Sequence, residues 1–369
     1  MKFKILYFTT VLFISALMAL FSSNRAYAQV TESRTLTKGF EVDKSTIVDI
    51  ENKYGDVSIE TWDKDSVWVE IVYEVSEKNY DRLDKKMKEI SFELTQSGHY
   101  VVVSTIIGST RNMLLGEINK LKESIGMAES QVKIDIRISL PDQLDLRIKN
   151  KFGNIYLDDY NGDVSINLSN GRLKAHDLTG YSNLTISFSD AIINSIDTGS
   201  LEIYYSEMNL TAARKLRITS KTSDITITEV KQMLVNSSRD DYRIRMIADF
   251  ETQASWTDFA ITEFSKQSDI KMNYGELTIE KIQPTMEQIV IDARSTKINL
   301  FFSNNMDVNF DIITDRDLNL PMEATIDSTV QMNTEDKVMR YIGRTGNIDI
   351  ESPTVILKTE SADISILKR

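Results

Sequence analysis

The sequence contains no cysteine, only two histidines and only four prolines among its 369 residues. Without cysteine the chain forms no disulfide and offers no thiolate to a metal. The histidines, His99 and His176, stand far apart, which gives no basis for a zinc site or a Ser-His-Asp triad. We therefore expect a non-enzymatic protein with no catalytic residues, no metal site and no cofactor.

Basic residues are too few to balance the acidic ones. The chain carries 43 Lys and Arg against 55 Asp and Glu, for a net charge of −12. Such a surface repels a phosphate backbone, so nucleic acid is not an expected partner. The acidity favours solubility, and it leaves room for cation-bridged contacts to other acidic surfaces.

The sequence has one long apolar run, at its N-terminus. Lys2 and Lys4 precede the run Ile5–Phe21, and Ala26–Ala28 has the small-x-small pattern of a cleavage site. These features predict a cleaved signal peptide over residues 1–28. A retained anchor is the alternative, but the run is near the lower limit for spanning a bilayer. We expect export to the periplasm, the outer surface or the medium, with no retained membrane span.

A repeat of 17 or 18 residues extends from Lys149 to Phe310. In each copy a residue that we term the anchor precedes an apolar-x-apolar triplet, and a second apolar site lies six residues before most anchors. The nine anchors are Asn154, Arg172, Asp190, Glu207, Asp224, Asp241, Asp258, Glu276 and Lys297. Alternation predicts strands with one buried face, and recurrence predicts that they stack. The fold class is thus all-β dominated, a parallel β-solenoid with two strands per repeat.

Two further regions complete the predicted organisation. Residues 29–147 are expected to form an α/β cap with two helices, over Glu77–Lys88 and Thr110–Ser124. Residues 148–369 are expected to form the solenoid, with an irregular insertion at about 311–345. Within that insertion, Met332–Arg344 is predicted to be a loop or a short helix.

Several motifs resemble one bacterial family. They are Ile134-Asp-Ile-Arg-Ile-Ser-Leu-Pro141, Asn150–Leu157, Gly162-Asp-Val-Ser-Ile166, Gly346-Asn-Ile-Asp-Ile350 and Ala362-Asp-Ile-Ser-Ile366. Together they are similar to the β-strand-repeat family named putative adhesins, whose function is unknown. The resemblance covers about residues 46–369 and implies an exported envelope or surface protein with a β-helical fold. It implies no catalytic residues, and an adhesive role inferred from fold alone is an analogy.

The residues two positions before the anchors, termed the bend column, are rich in aromatic side chains. Its members are Phe152, Asn170, Phe188, Tyr205, Thr222, Arg239, Trp256, Tyr274 and Ser295. The next position, the small column, holds Gly153, Gly171, Ser189, Ser206, Ser223, Asp240, Thr257, Gly275 and Thr296. Small residues suit a tight bend where backbones stack, so we expect the rings to point outward.

Outward-pointing rings predict a ligand-binding edge. Our candidate residues are Phe188, Tyr205, Trp256 and Tyr274. Rings of this kind stack on sugar faces or on the apolar surface of a partner, so a glycan or an envelope protein is the expected ligand. The competing interpretation is that the rings pack on one another and only rigidify the bend.

Acidic residues give two weaker hypotheses. The segment Asp158–Asp163 has the composition of a cation-binding loop, but its spacing fails the helix-loop-helix calcium pattern and suits a turn. Six of the nine anchors are acidic, and stacked carboxylates would suit a polysaccharide lyase or glycosidase. Charge at regular spacing is more typical of a solvated edge.

The sequence therefore predicts an adhesin-like binding protein or a structural β-solenoid of the cell envelope or surface. One alternative is a β-helical polysaccharide lyase or glycosidase. Another is an accessory protein in envelope signalling, recognised through the cap.

Overall fold

The computed structural model describes residues 29–108, 131–304, 306–332, 337–346 and 353–368. The described chain is nearly all β, with one helix, and its strands pair mostly in parallel. The predicted signal peptide and the predicted helix Thr110–Ser124 lie outside the described residues. No helix of the described part is long and apolar enough to cross a membrane.

The elements follow one another along the chain as a succession of strands. The first are β1 (Val30–Glu41), β2 (Ile47–Lys53), β3 (Val57–Thr61), β4 (Ser66–Glu77), α1 (Tyr80–Glu89), β5 (Ile90–Ser97), β6 (Tyr100–Ile107), β7 (Gln131–Leu140), β8 (Asp145–Lys151), β9 (Ile155–Leu157) and β10 (Val164–Ser169). The repeats follow as β11 (Arg172–Ser187), β12 (Asp190–Tyr204), β13 (Glu207–Lys221), β14 (Asp224–Ser238), β15 (Asp241–Ser255), β16 (Asp258–Ile282) and β17 (Gln288–Phe302). The last are β18 (Asn309–Thr314), β19 (Leu318–Asn319), β20 (Ala324–Gln331), β21 (Met339–Thr345), β22 (Thr354–Glu360) and β23 (Asp363–Lys368).

The chain divides into two compact units. The described residues of the first are 29–33, 74–90, 108 and 131–132. The second contains residues 34–73, 91–107 and the described residues from 133 onward. The second unit thus includes strands that precede the boundary predicted at residue 147.

Helix α1 belongs to the first unit and confirms one of the two predicted helices. Asn79 caps its start, because the Asn79 side chain accepts a hydrogen bond from the backbone N–H of Arg82 at 3.0 Å. Such a cap satisfies one of the N–H groups that a helix leaves unpaired. Leu83 and Met87, both on the predicted apolar face, are buried.

In the second unit the repeats pair in parallel, and anchor lies against anchor. Asp190 pairs with Glu207, Glu207 with Asp224, and so on through β16. The same register continues along the whole of the β12–β13, β13–β14 and β14–β15 pairings, whereas the β11–β12, β15–β16 and β16–β17 pairings each shift register once. A slip of one residue would turn the apolar side chains to solvent, so burial fixes this register. The long parallel sheet is confirmed and is consistent with the predicted solenoid.

The interior of this unit is formed by the predicted apolar positions. Ile225 and Ile227, one and three residues after their anchor, are fully buried, as is Val235 from the second apolar site. Polar residues between them, such as Thr226, are only partly covered. The period-two pattern therefore maps directly onto inside and outside.

The predicted irregular insertion contains a set of antiparallel strands. β21 pairs antiparallel with β18 and with β20, and β18 also pairs parallel with β22. The prediction of a loop or short helix over Met332–Arg344 was wrong for the strand that begins at Met339. A cross-strand ion pair helps to hold it, because the Arg340 guanidinium donates to both carboxylate oxygens of Asp311, at 2.8 and 2.6 Å.

Candidate functional site

The bend column has an unusual backbone conformation. All nine members have positive φ, between 49° and 61°. Tyr54 and Ser361 occupy the same position in the first and last repeats, and these eleven are all the non-glycine residues with positive φ in the described chain. The left-handed region costs a non-glycine residue about 1–2 kcal/mol. Asn170 is the member whose type usually tolerates it.

Backbone hydrogen bonds to the next repeat hold this bend from Tyr54 through Trp256. The N–H of Phe188 donates to the carbonyl of Tyr204 at 3.0 Å, and the N–H of Tyr205 donates to the carbonyl of Lys221 at 3.0 Å. Trp256 makes the same bond to Asn273 at 2.9 Å. The parallel ladder thus continues through the bend, so neighbouring repeats determine the conformation whatever side chain stands there.

The aromatic members of the column point outward, as predicted. Phe152, Phe188, Tyr205, Trp256 and Tyr274 are 40–60% exposed. They are also stacked in pairs. Phe188 lies on Tyr205 with ring centroids 5.0 Å apart and planes 2° apart, and Trp256 lies on Tyr274 at 4.2 Å and 12°.

A third pair extends the surface beyond our prediction. Tyr54 stacks on Phe152 at 5.5 Å with planes 13° apart. Tyr54 lay outside the predicted column, although Asn52–Ile59 is a near copy of Asn150–Leu157 and places Tyr54 where Phe152 stands. We term these six residues, in three ring pairs, the aromatic edge. The predicted self-packing of the rings is therefore present, and ligand binding by the four candidates stays a prediction.

The small column forms a polar ladder beneath the rings. In five successive steps a backbone N–H donates to a side-chain oxygen of the next repeat. The steps are Gly171 to Ser189 Oγ, Ser189 to Ser206 Oγ, Ser206 to Ser223 Oγ, Ser223 to Asp240 Oδ1 and Asp240 to Thr257 Oγ1, at 2.8–3.4 Å. These oxygens satisfy N–H groups that the tight bend would leave unpaired. The ladder gives the aromatic edge a rigid base.

Asp240 is the acidic member of that ladder and is almost fully buried. Its carboxylate accepts hydrogen bonds from Ser220 Oγ at 2.8 Å, Ser237 Oγ at 2.5 Å and the backbone N–H groups of Ser223 and Ser238 at 2.8 and 3.0 Å. Desolvation raises the pKa of Asp240 above its ordinary value, although these hydrogen bonds oppose the rise. The loss of hydration on burial thus raises the pKa of Asp240 more than the four hydrogen-bond donors lower it.

Asp240→Thr gives a test of this balance, because threonine stands in the same column at position 257. A raised pKa means that the folded state binds more protons than the unfolded state between the unfolded and folded pKa values, so Asp240 costs stability as pH rises above about 4. The free energy of unfolding of the variant, minus that of the wild type, should therefore be larger at pH 7 than at pH 3. Chemical denaturation at both pH values measures it.

Ser189→Thr is the matched control, since it adds no titratable group and its effect should not change with pH. An Asp240→Thr effect that is also constant between pH 3 and 7 would contradict the raised pKa.

The anchors serve the backbone and one another. Asn154 Oδ1 accepts the N–H of Arg172 at 3.0 Å, and Arg172 is paired with Asp190 at 2.9 Å. Lys297 lies 2.9 Å from Glu276, and its ammonium lowers the pKa of that carboxyl. Among the described residues no group of three or more His, Cys, Asp or Glu is placed to hold a metal ion.

The acidic segment at 158–163 is a turn. Tyr160 is buried and its hydroxyl donates to the carbonyl of Leu144 at 2.7 Å. Asp163 accepts the N–H of Tyr181 at 2.8 Å, so this carboxylate tethers the following repeat. Asp159 also accepts a backbone N–H, that of Asp177, at 3.2 Å, whereas Asn161 Oδ1 accepts the Thr179 hydroxyl at 2.6 Å.

A concave surface separate from the aromatic edge crosses β11 to β17, with Tyr181 at its β11 end. It is an open groove of about 690 Å³ with Lys215, Arg217, Asp249, Glu251 and Asp269 among its lining residues. Glu251 and Asp269 pair in register on neighbouring strands, about 4.8 Å apart. Both side chains are exposed. The sequence did not indicate this groove, because it depends on the shape of a face and not on a motif.

Comparisons with known proteins add little to this geometry. No protein-family model matches the chain, and no curated protein matches it. Among solved structures, the chain is similar to a putative cell adhesion protein from Clostridium sporogenes at 8% sequence identity and a TM-score of 0.20. The alignment covers 92% of this chain and 100% of that one.

Proposed function

We propose that this chain is an exported, non-enzymatic binding protein of the cell envelope or cell surface, and that the aromatic edge holds its ligand, a glycan. The observation that carries the proposal is that bulky rings occupy a left-handed position and remain half exposed there. Glycine and asparagine suit this conformation better than an aromatic residue does, so the rings need an explanation beyond the bend itself.

Ring stacking offsets only part of the local strain. A stacked pair contributes about 0.5–1.5 kcal/mol, whereas two left-handed aromatic residues cost about 2–4 kcal/mol. Glycine or asparagine would relieve most of that cost. Rigidity alone therefore accounts poorly for the rings, and a contact with an outside group accounts for them better.

A glycan fits this surface because pyranose rings present flat C–H faces that pack on aromatic rings, with hydroxyls free for the polar neighbours. Asn170, Thr222 and Ser295 supply such neighbours within the same column. The export that this role requires is supported by the apolar segment Ile5–Phe21 and by the small-x-small pattern at Ala26–Ala28.

The test is binding of the purified exported chain to a glycan panel, compared with the double variant Phe188→Asn/Trp256→Asn. Asparagine is chosen because Asn170 already occupies this bend. We expect the double variant to bind the retained glycan about 10- to 100-fold more weakly, since each ring contributes about 0.5–1.5 kcal/mol. Isothermal titration measures the change.

Tyr156→Ser is the matched control, because Tyr156 is an exposed ring outside both the column and the groove and pairs in register with Ser58. It should bind like the wild type. Equal affinity in all three proteins would refute the aromatic edge. If the purified chain retains an envelope protein and no glycan, the ligand of the aromatic edge is a protein and the proposed glycan is wrong.

The polysaccharide-acting enzyme is the second candidate, because the groove places Glu251 and Asp269 side by side. Glycoside hydrolysis needs one carboxyl that stays protonated near neutral pH, which proteins achieve by burial. Both carboxylates here are exposed, so we favour binding. Release of new chain ends from a polysaccharide by the wild type, abolished in Glu251→Gln, would favour the enzyme.

A further inference from the structure

The aromatic edge is interrupted at two places of different size and charge. Asn170 alone separates Phe152 from Phe188, whereas Thr222 and Arg239 together separate Tyr205 from Trp256. Repeats stack at about 4.8 Å, so the first gap between rings spans about 10 Å and the second about 14 Å. The second gap, which we term the Arg239 slot, is the wider one and the one that carries a charge.

The walls of the Arg239 slot are aromatic. Tyr205 has one face on Phe188, and Trp256 has one face on Tyr274. The opposite side of each ring is turned toward the slot along the column. Since a stacked layer needs about 3.5–4 Å, a span of about 14 Å accommodates a sugar ring against each wall.

The floor of the slot carries an unengaged cation. Arg239 is exposed, and its guanidinium bonds to no carboxylate in the part of the chain that the structure describes. The acids nearest in sequence are otherwise placed: Asp240 is buried beneath the bend, and Asp241 is paired with Arg243 at 3.1 Å. Asp224 and Lys221 flank Thr222 and are both exposed.

We infer that the Arg239 slot binds an acidic sugar residue of the glycan, an inference that rests on the proposed function. A guanidinium presents two parallel N–H donors that match a carboxylate. The ring walls hold the sugar faces while Arg239 holds the charged group. Because the chain is itself strongly acidic, a densely charged polyanion is disfavoured, and a glycan with spaced carboxylates fits better.

The experiment uses two ligands that differ only in charge, a hyaluronan hexasaccharide and the same hexasaccharide with its uronates reduced to neutral sugars. Titration at low ionic strength should show the wild type binding the acidic form about tenfold more tightly, the effect of one charge-assisted hydrogen bond. Arg239→Ser should lose this preference and bind both forms like the neutral one. Serine is matched to Ser295, which occupies the same bend. Arg239→Lys should keep part of the preference, because it retains charge without the bidentate geometry.

The outcomes separate the two proposals. If the wild type binds both forms equally, or if Arg239→Ser weakens the binding of both forms equally, the slot does not discriminate between charged and neutral sugars. Either result overturns this inference and leaves the proposed role of the aromatic edge unaffected. If neither form binds and the glycan panel is also silent, both proposals fail. Circular dichroism of each variant checks that the overall strand content is retained.

Discussion

Gly153→Ala is expected to lower the free energy of unfolding by about 3 kcal/mol or more. A Cβ at this position would lie 1.9 Å from the carbonyl oxygen of Gly55 and 2.4 Å from its carbon. Both are backbone atoms, so no side-chain rotation relieves the clash. The stacked repeats would have to separate at the bend, which would break the ladder on both sides. Urea denaturation of the variant measures the loss.

Gly98→Asn is the appropriate control for that experiment. Gly98 is also left-handed, at φ 57°, but a Cβ there would have no atom within 4 Å. Asparagine tolerates this conformation, so we expect a loss of less than about 1 kcal/mol. If Gly153→Ala costs no more than Gly98→Asn, the close stacking of the small column is contradicted.

Phe259→Ala is expected to cost about 3–5 kcal/mol of stability, the range for an aromatic ring removed from a core. Phe259 is buried, stacks on Tyr242 at 4.9 Å and meets Phe250 edge to face at 5.2 Å. The cavity would be enclosed by two large rings that cannot collapse into it. Thermal or urea denaturation measures the effect.

Trp256→Asn, only three residues away, should behave in the opposite way. Its ring is 59% exposed, so the stability change should stay within about 1 kcal/mol, while glycan binding falls. A large stability loss in Trp256→Asn with no loss of glycan binding would show that the aromatic edge stabilises the fold and does not bind the ligand.

The repeat could be predicted from the sequence because its signal is periodic and local. Anchors at 17- or 18-residue intervals pair with one another in the structure, as at Asp224 and Asp241. Alternation identified the buried positions, such as Tyr242, whose aromatic ring was assigned to the interior by its place after an anchor.

The bend conformation was harder to predict. A left-handed turn is usually marked by glycine or asparagine, and here it carries Phe, Tyr, Trp, Thr, Arg and Ser. The conformation follows from the parallel ladder on both sides and not from the residue itself. The aromatic column was nevertheless visible, because five of its nine members have rings.

The C-terminal strands illustrate a different failure. β21 pairs antiparallel with β18 and β20, so its partners lie outside the 17–18-residue period. With no repeat to align against, a short segment containing Gly343 gave no strand signal strong enough to outweigh its turn-like composition. The stacking of the rings in the aromatic edge could not be predicted either. The residue types alone do not decide whether the rings stack on one another or contact a ligand.

The most direct test of the central claim is the fluorescence of Trp256 during glycan titration. The chain has three tryptophans, and the variant Trp62→Phe/Trp68→Phe leaves Trp256 as the reporter. If a sugar packs on the aromatic edge, the emission of Trp256 should change and saturate at the same concentration at which titration calorimetry shows binding. A glycan that binds with the calorimetric affinity while the emission of Trp256 stays constant would contradict the account.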